Sequence, residues 1–166
     1  MSATVLDANL IGPTLPPIPP FTFPTGPTGI TVTANNASII STSGATVAVN
    51  STIPLTAVSQ NNGIGICLAG NSINLAPSAI YHVEFYVLAN GTNGTDVSIM
   101  LDGIPLIDTH TSNINGTGTA PTSDGAIINT AAGGSSIQLI NSTIAPFTLI
   151  NNIGRRSVVI RIIQIG

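Results

Sequence analysis

The run Leu15-Pro-Pro-Ile-Pro-Pro-Phe-Thr-Phe-Pro24 constrains this chain more than any other stretch. Proline has no backbone donor, fixes its own φ and pushes the residue before it out of the helical region, so the run cannot be helix. It is predicted to be extended polyproline II, which has no internal hydrogen bonds. Seven of the chain's twelve prolines lie within residues 1–29. The predicted organisation is therefore an extended proline-rich leader and connector over 1–29, followed by one folded body over 30–166. At ~3.1 Å per residue such a leader reaches tens of ångströms. Leu15, Ile18, Phe21 and Phe23 are spaced along it as apolar anchors, and Pro16, Pro17, Pro19, Pro20 and Pro24 stiffen it. A stiff backbone with apolar anchors suits docking into a groove at low entropic cost. Gly26-Pro-Thr-Gly29, taken with Thr25, gives two turns of the glycine-every-third pattern of collagen. Two triplets are too few for a triple helix. They read either as a pair of Pro-Gly turns or as the point where three chains converge.

From Ile30 onward the signals are those of strands. Tyr81-His-Val-Glu-Phe-Tyr-Val87 alternates, with Tyr81, Val83, Phe85 and Val87 on one face. Val97-Ser-Ile-Met-Leu101 and Ile137-Gln-Leu139 alternate in the same way. Val158-Val-Ile-Arg-Ile-Ile-Gln-Ile165 is apolar on both faces except at Arg161 and Gln164, which predicts a central strand or one lining a subunit interface. Asn-Gly occurs at Asn62, Asn90, Asn93 and Asn115, and Asp-Gly at Asp102 and Asp124. These dipeptides favour hairpin turns that need positive φ, and Asp102-Gly103 reads as a tight hairpin. The predicted fold class is all-β, a single jelly-roll sandwich of about eight to ten strands.

Only 5% of the residues are charged, against roughly 25% in an ordinary soluble domain. There is no lysine, and the cations are Arg155, Arg156 and Arg161. Apolar residues make up 43% and the mean hydropathy is +0.48. A body of this kind covers itself with Thr, Ser, Asn and Gly or with partners, and it is prone to associate. Three arginines near one end do not make a phosphate-binding patch, so no nucleic-acid partner is expected. No apolar run reaches the ~20 residues of a membrane helix, so no membrane partner is expected. Residues 1–20 lack the basic start and apolar core of a signal peptide, which points to synthesis in the cytosol. Cys67, the single cysteine, sits in the apolar run Ile64-Gly-Ile-Cys-Leu68 and reads as a small buried hydrophobe, with an interchain disulfide as the alternative.

No catalytic residues, cofactor or metal are assigned, and an enzyme is not expected. His82 and Glu84 lie two apart on one strand and share a face, where they read as a polar stripe, an ion pair or a pair of metal ligands. Asp108 and His110 repeat that spacing. Asp96, Asp102 and Asp124 are explained by turns without calcium. Phosphate loops, nucleophile elbows and paired-cysteine motifs are absent from the sequence. Arg155 and Arg156 read as a solvated loop or an inter-subunit ion pair. Arg161, within an apolar strand, needs a partner if it is buried. Arg161, Ile163 and Ile165 are the predicted subunit-interface residues. Asn50-Ser-Thr52 and Asn141-Ser-Thr143 have the form of glycosylation sequons.

Leu10-Ile-Gly-Pro-Thr-Leu-Pro-Pro-Ile-Pro-Pro-Phe-Thr-Phe-Pro-Thr-Gly26 closely resembles the leader of the collagen-like exosporium glycoproteins of Bacillus spores. Gly26-Pro-Thr-Gly29 is similar to the start of that family's collagen region. Ala79-Ile-Tyr-His-Val-Glu-Phe-Tyr-Val87 and the closing strand from Ser157 to Ile165 resemble its head. The resemblance implies a tumour-necrosis-factor-like jelly roll that forms a homotrimer, anchored by its leader, on the spore surface in the exosporium or an endospore appendage. Such a protein becomes extracellular when the mother cell lyses. It also implies O-linked sugar on threonine-rich stretches such as Thr117-Gly-Thr119. The family's long collagen stalk is almost missing here, which sets the head directly beside the leader. The expected function is a structural fibre subunit, with the leader of one trimer docked in the next. Its partners are other copies of itself and, through the leader, other exosporium or appendage proteins. The alternatives are a stalkless surface protein capping the basal layer, and a carbohydrate- or receptor-binding head.

Overall fold

A computed structural model describes residues 35–113, 119–151 and 155–166. The leader, its anchors from Leu15 to Pro24 and the two collagen-like triplets lie outside the described residues. So do Asn115-Gly116 and Thr117. The body consists of two antiparallel sheets, as its alternating β-branched segments predict. The first holds β1 (Asn36–Ser41), β2 (Thr46–Val47), β3 (Ala57–Asn62), β6 (Ile80–Gly91), β10 (Thr119–Asn129), β12 (Phe147–Leu149) and β13 (Val158–Gln164). The second holds β4 (Ile66–Ala69), β5 (Ser72–Leu75), β7 (Thr95–Leu101), β8 (Ile104–Pro105), β9 (Thr111–Asn113) and β11 (Ser135–Asn141).

The strand β6 organises the first sheet. On one edge it pairs with β10, from Ile80 opposite Asn129 to Asn90 opposite Thr119. On the other edge it pairs first with β13, from Tyr81 opposite Gln164 to Val87 opposite Val158, and then with β12. The strand β1 joins β13 on its far side and carries β3 at the sheet margin. In the second sheet the order is β4-β5-β11-β7-β8, with β9 also on β7.

Strand alternation sends one set of side chains between the sheets. Tyr81, Val83, Phe85, Val87 and Ala89 of β6 meet Ile160 and Ile162 of β13, Ile39 of β1, Ile73 of β5, Val97 and Ile99 of β7, and Ile137 and Leu139 of β11, all buried. Burying each large aliphatic or aromatic side chain contributes roughly 1.5–3 kcal/mol, which makes this layer the main stabilising element. The Tyr81 hydroxyl donates to the Gly65 carbonyl at 3.2 Å, and burial pushes its phenol pKa up.

The Asp102-Gly103 turn is the predicted hairpin. Asp102 has φ 49° and Gly103 φ 85°, and Leu101 faces Ile104 across it. The Asp102 carboxylate accepts from the Ser136 N–H at 2.6 Å and ties the turn to β11, which holds the carboxyl below its ordinary value. A depressed carboxyl pKa stabilises the fold at neutral pH, and that contribution is lost as acid protonates the group.

Two dipeptides that predict turns lie inside strands instead. Asn90-Gly91 ends β6, and Asp124-Gly125 sits in the middle of β10. Glycine is needed at 125 for close approach: a Cβ there would stand 2.7 Å from the Val83 carbonyl oxygen of the paired strand. Gly125→Ala is therefore expected to destabilise the fold by about 1–3 kcal/mol, read as a lower urea midpoint with an unchanged slope.

A candidate self-association face on the first sheet

The alternation that fills the core turns a second set of β6 side chains outward: Ile80, His82, Glu84 and Tyr86. Beside them on β13 stand Val159, Arg161 and Ile163, followed by Ile165. On β10, Ile127 lies opposite His82, Gly125 opposite Glu84, and Ser123 opposite Tyr86. The apolar members are open to solvent, with Ile127 66%, Ile165 50% and Ile163 47% exposed. Exposed isoleucines scattered singly are ordinary, but here they share one sheet face with Tyr86 and Ile80. The predicted interface residues Arg161, Ile163 and Ile165 are thus brought together on this face. The strand β13 is central in the sheet, with one face in the core and the other bare.

Charge sits at the centre of this face. Arg161 and Glu84 are directly opposite in the β6–β13 register. Glu84 Oε1 lies 3.9 Å from His82 Nε2, so the sequence pair His82 and Glu84 does meet. A hollow of about 520 Å³ is lined by His82, Glu84, Tyr86, Ser123, Gly125 and Arg161. A second, of about 350 Å³, lies on the other side of β13 and is lined by Asn36, Ser38, Gln60, Arg161 and Ile163. Arg161 lines both and forms the ridge between them.

Other sequence expectations change. Asp108 and His110 are not a strand pair, because Ile107–Thr109 forms a 3-10 turn. His110 Nε2 instead approaches Asp96 Oδ2 at 3.7 Å, and Asp96 lies in β7 just after the Asn93-Gly94 turn. Cys67 is exposed, not buried: alternation on β4 gives the core to Ile66 and turns the next side chain outward. Arg155 and Arg156 are exposed just before β13. Among the described residues, no three of His, Cys, Asp and Glu converge as metal ligands would. Of the sequons named above, Asn50 is exposed and Asn141 is buried. The Asn141 amide donates to the Val47 carbonyl at 3.0 Å and its oxygen accepts from the Thr143 N–H at 2.9 Å.

Sequence reading missed Ile80, Tyr86 and Ile127 as parts of this face. The signal was present in the alternation of 81–87, which leaves Tyr86 with His82 and Glu84 once the other four residues are given to the core.

No protein-family model and no curated protein matches the chain. Solved structures do match its backbone. The globular domain of a zebrafish complement 1qA protein superposes with a TM-score of 0.61 at 9% identity, covering 80% of this chain and 98% of that one. A tumour necrosis factor, Eiger from S. frugiperda, gives 0.57 at 11% identity over 79% of this chain and 92% of that one. The fold is a TNF- and C1q-like jelly roll. Murine APRIL (TM-score 0.56, 10% identity, 78% of this chain and 98% of that one) is similar to this jelly roll as well. So is the PRD1 vertex protein P5 (0.54, 16%, 81% and 99%). At these identities the likeness is one of fold.

Exposure of Cys67 on this jelly roll has a direct readout. A thiol reagent added to the reduced, native protein is expected to modify Cys67 without denaturant, as fast as it modifies the unfolded chain to within about tenfold.

Proposed function

We propose that this chain is a structural protein of the spore surface, without catalytic activity. Its jelly-roll head self-associates into a homotrimer through the outer face of the first sheet. Its leader, residues 10–26, docks into the head of the next trimer and builds a fibre. The observation that carries the reading is the bare apolar face around β6 and β13, on a chain with only 5% charged residues to keep copies apart. The leader sequence supports the second step, since its proline-rich run places the apolar residues Leu15, Ile18, Phe21 and Phe23 where docking would bury them. A contact between leader and head joins two different surfaces. Repeated from trimer to trimer it does not close on itself, and it generates a filament. Location on the exosporium or an endospore appendage rests on the resemblance of the leader.

A carbohydrate-binding head fits the surface less well. Among the described residues Tyr81, Phe85 and Phe147 are buried, which leaves Tyr86 as the one exposed aromatic ring. A single ring is a poor stacking platform for sugars.

Electron microscopy of the full chain is expected to show fibres, and removal of residues 1–26 to leave isolated trimers. Fibres formed by the shortened chain would overturn docking by the leader. Isolated trimers from the full chain would replace the fibre with a surface cap.

A further inference from the structure

Glu84 is the chain's one glutamate, and Arg161 is the only arginine placed in a described strand. Both stand on inner strands of the first sheet, β6 and β13, and Glu is among the residue types depleted in strands. The other charged groups of the body sit in loops or, like Glu84 with His82 at 3.9 Å, have a local partner. Asp102 ties a turn to Ser136, Asp96 meets His110, and Asp124 accepts from the Gly125 N–H at 2.7 Å. Glu84 and Arg161 are set apart by their place: both project outward from the centre of the apolar face, opposite each other across the β6–β13 ladder, and both line the larger hollow.

We infer that Glu84 and Arg161 form the ion pair that sets the register between copies of this chain, Arg161 of one copy entering the hollow beside the partner's Glu84. The inference rests on the self-association proposed above and names the contact that orders it. The face is complementary to itself in charge, one acid and one base set side by side. It is also complementary in relief, since the Arg161 ridge is flanked by hollows of about 520 and 350 Å³. A guanidinium in the larger hollow reaches a carboxylate for charge-assisted bonds and the Tyr86 ring for a cation–π contact. Ile80, Ile127, Ile163 and Ile165 surround the pair and remove water from it. Burying either charge without the other is costly, so slipped or rotated packings of the apolar face are penalised. The apolar rim would supply attraction, and the pair would select one geometry.

The test uses the full chain, with leader, and measures oligomeric state by sedimentation and native mass spectrometry, with circular dichroism as the control for folding. Wild type is expected to give trimers and the fibres built from them. Glu84→Arg and Arg161→Glu are each expected to dissociate to folded monomers. Mixing the two variants is expected to restore oligomers that contain both, as mixed dimers or as trimers in which two of the three contacts carry opposite charges, because each supplies the charge that the other lacks. That rescue cannot come from pairing within one chain, since each variant keeps like charges opposite each other in its own register. Reversals that still assemble alone, or a mixture that stays dissociated, would overturn the inference. Should a reversal not fold, Glu84→Gln and Arg161→Met read the same contact: each is expected to raise the dissociation constant at least about 30-fold. Unchanged constants would overturn the inference. A monomeric wild type would instead remove the trimer itself, which keeps the two failures distinct.

Discussion

Along its length β6 is bonded on both edges, to β10 on one side and to β13 and then β12 on the other. This double pairing fixes the phase of the whole first sheet. A slip of one residue in either ladder would move Tyr81, Val83, Phe85 and Val87 out of the core and bring His82, Glu84 and Tyr86 in. The cost of burying Glu84 among isoleucines, added to the loss of aromatic burial, makes that slip prohibitive. The same alternation that builds the core therefore also builds the outer face. Core and candidate interface are the two sides of one ladder, and neither could be changed in register without the other.

The outer face shows how a chain so poor in charge divides its labour. Solubility in most domains comes from scattered lysines and glutamates, whereas this body has no lysine and one glutamate. Its exposed strand margin at β3 is made of Ser, Gln and Asn beside Ala57 and Val58, with no charge to discourage pairing. A surface of this kind gives repulsion little part in deciding what meets what. Specificity then falls to shape and to the few ionic groups placed where shape alone is ambiguous.

Much of this was legible before the fold was known. Segments of five residues or more, such as 81–87, 97–101 and 158–165, carry enough alternation to fix both strand and face. Arg161, Ile163 and Ile165 could be singled out because an arginine in an apolar strand is itself an anomaly. The two- and three-residue strands β2, β8, β9 and β12 could not be read, since so few positions hold no period. Asp124-Gly125 misled for a different reason. Glycine after an acid serves a turn or a close approach equally well, and only the neighbouring strand distinguishes the two. Ile127 escaped because its neighbour on the face, His82, is far away in sequence. Cys67 was misjudged because an apolar run of five residues resembles a buried segment, while β4 has only one side facing the core.

The buried amide of Asn141 bears on how this protein could be made. It lies in the form Asn-Ser-Thr, yet its side chain closes bonds to Val47 and Thr143 inside the folded body. A host that attaches oligosaccharide to such triplets during translocation would modify the chain before those bonds exist. The sugar would then occupy the space that the amide must fill, and the sandwich could not shut. Production in yeast or animal secretory systems would select for misfolded material, while a cytosol without that machinery would leave the asparagine free to take its place.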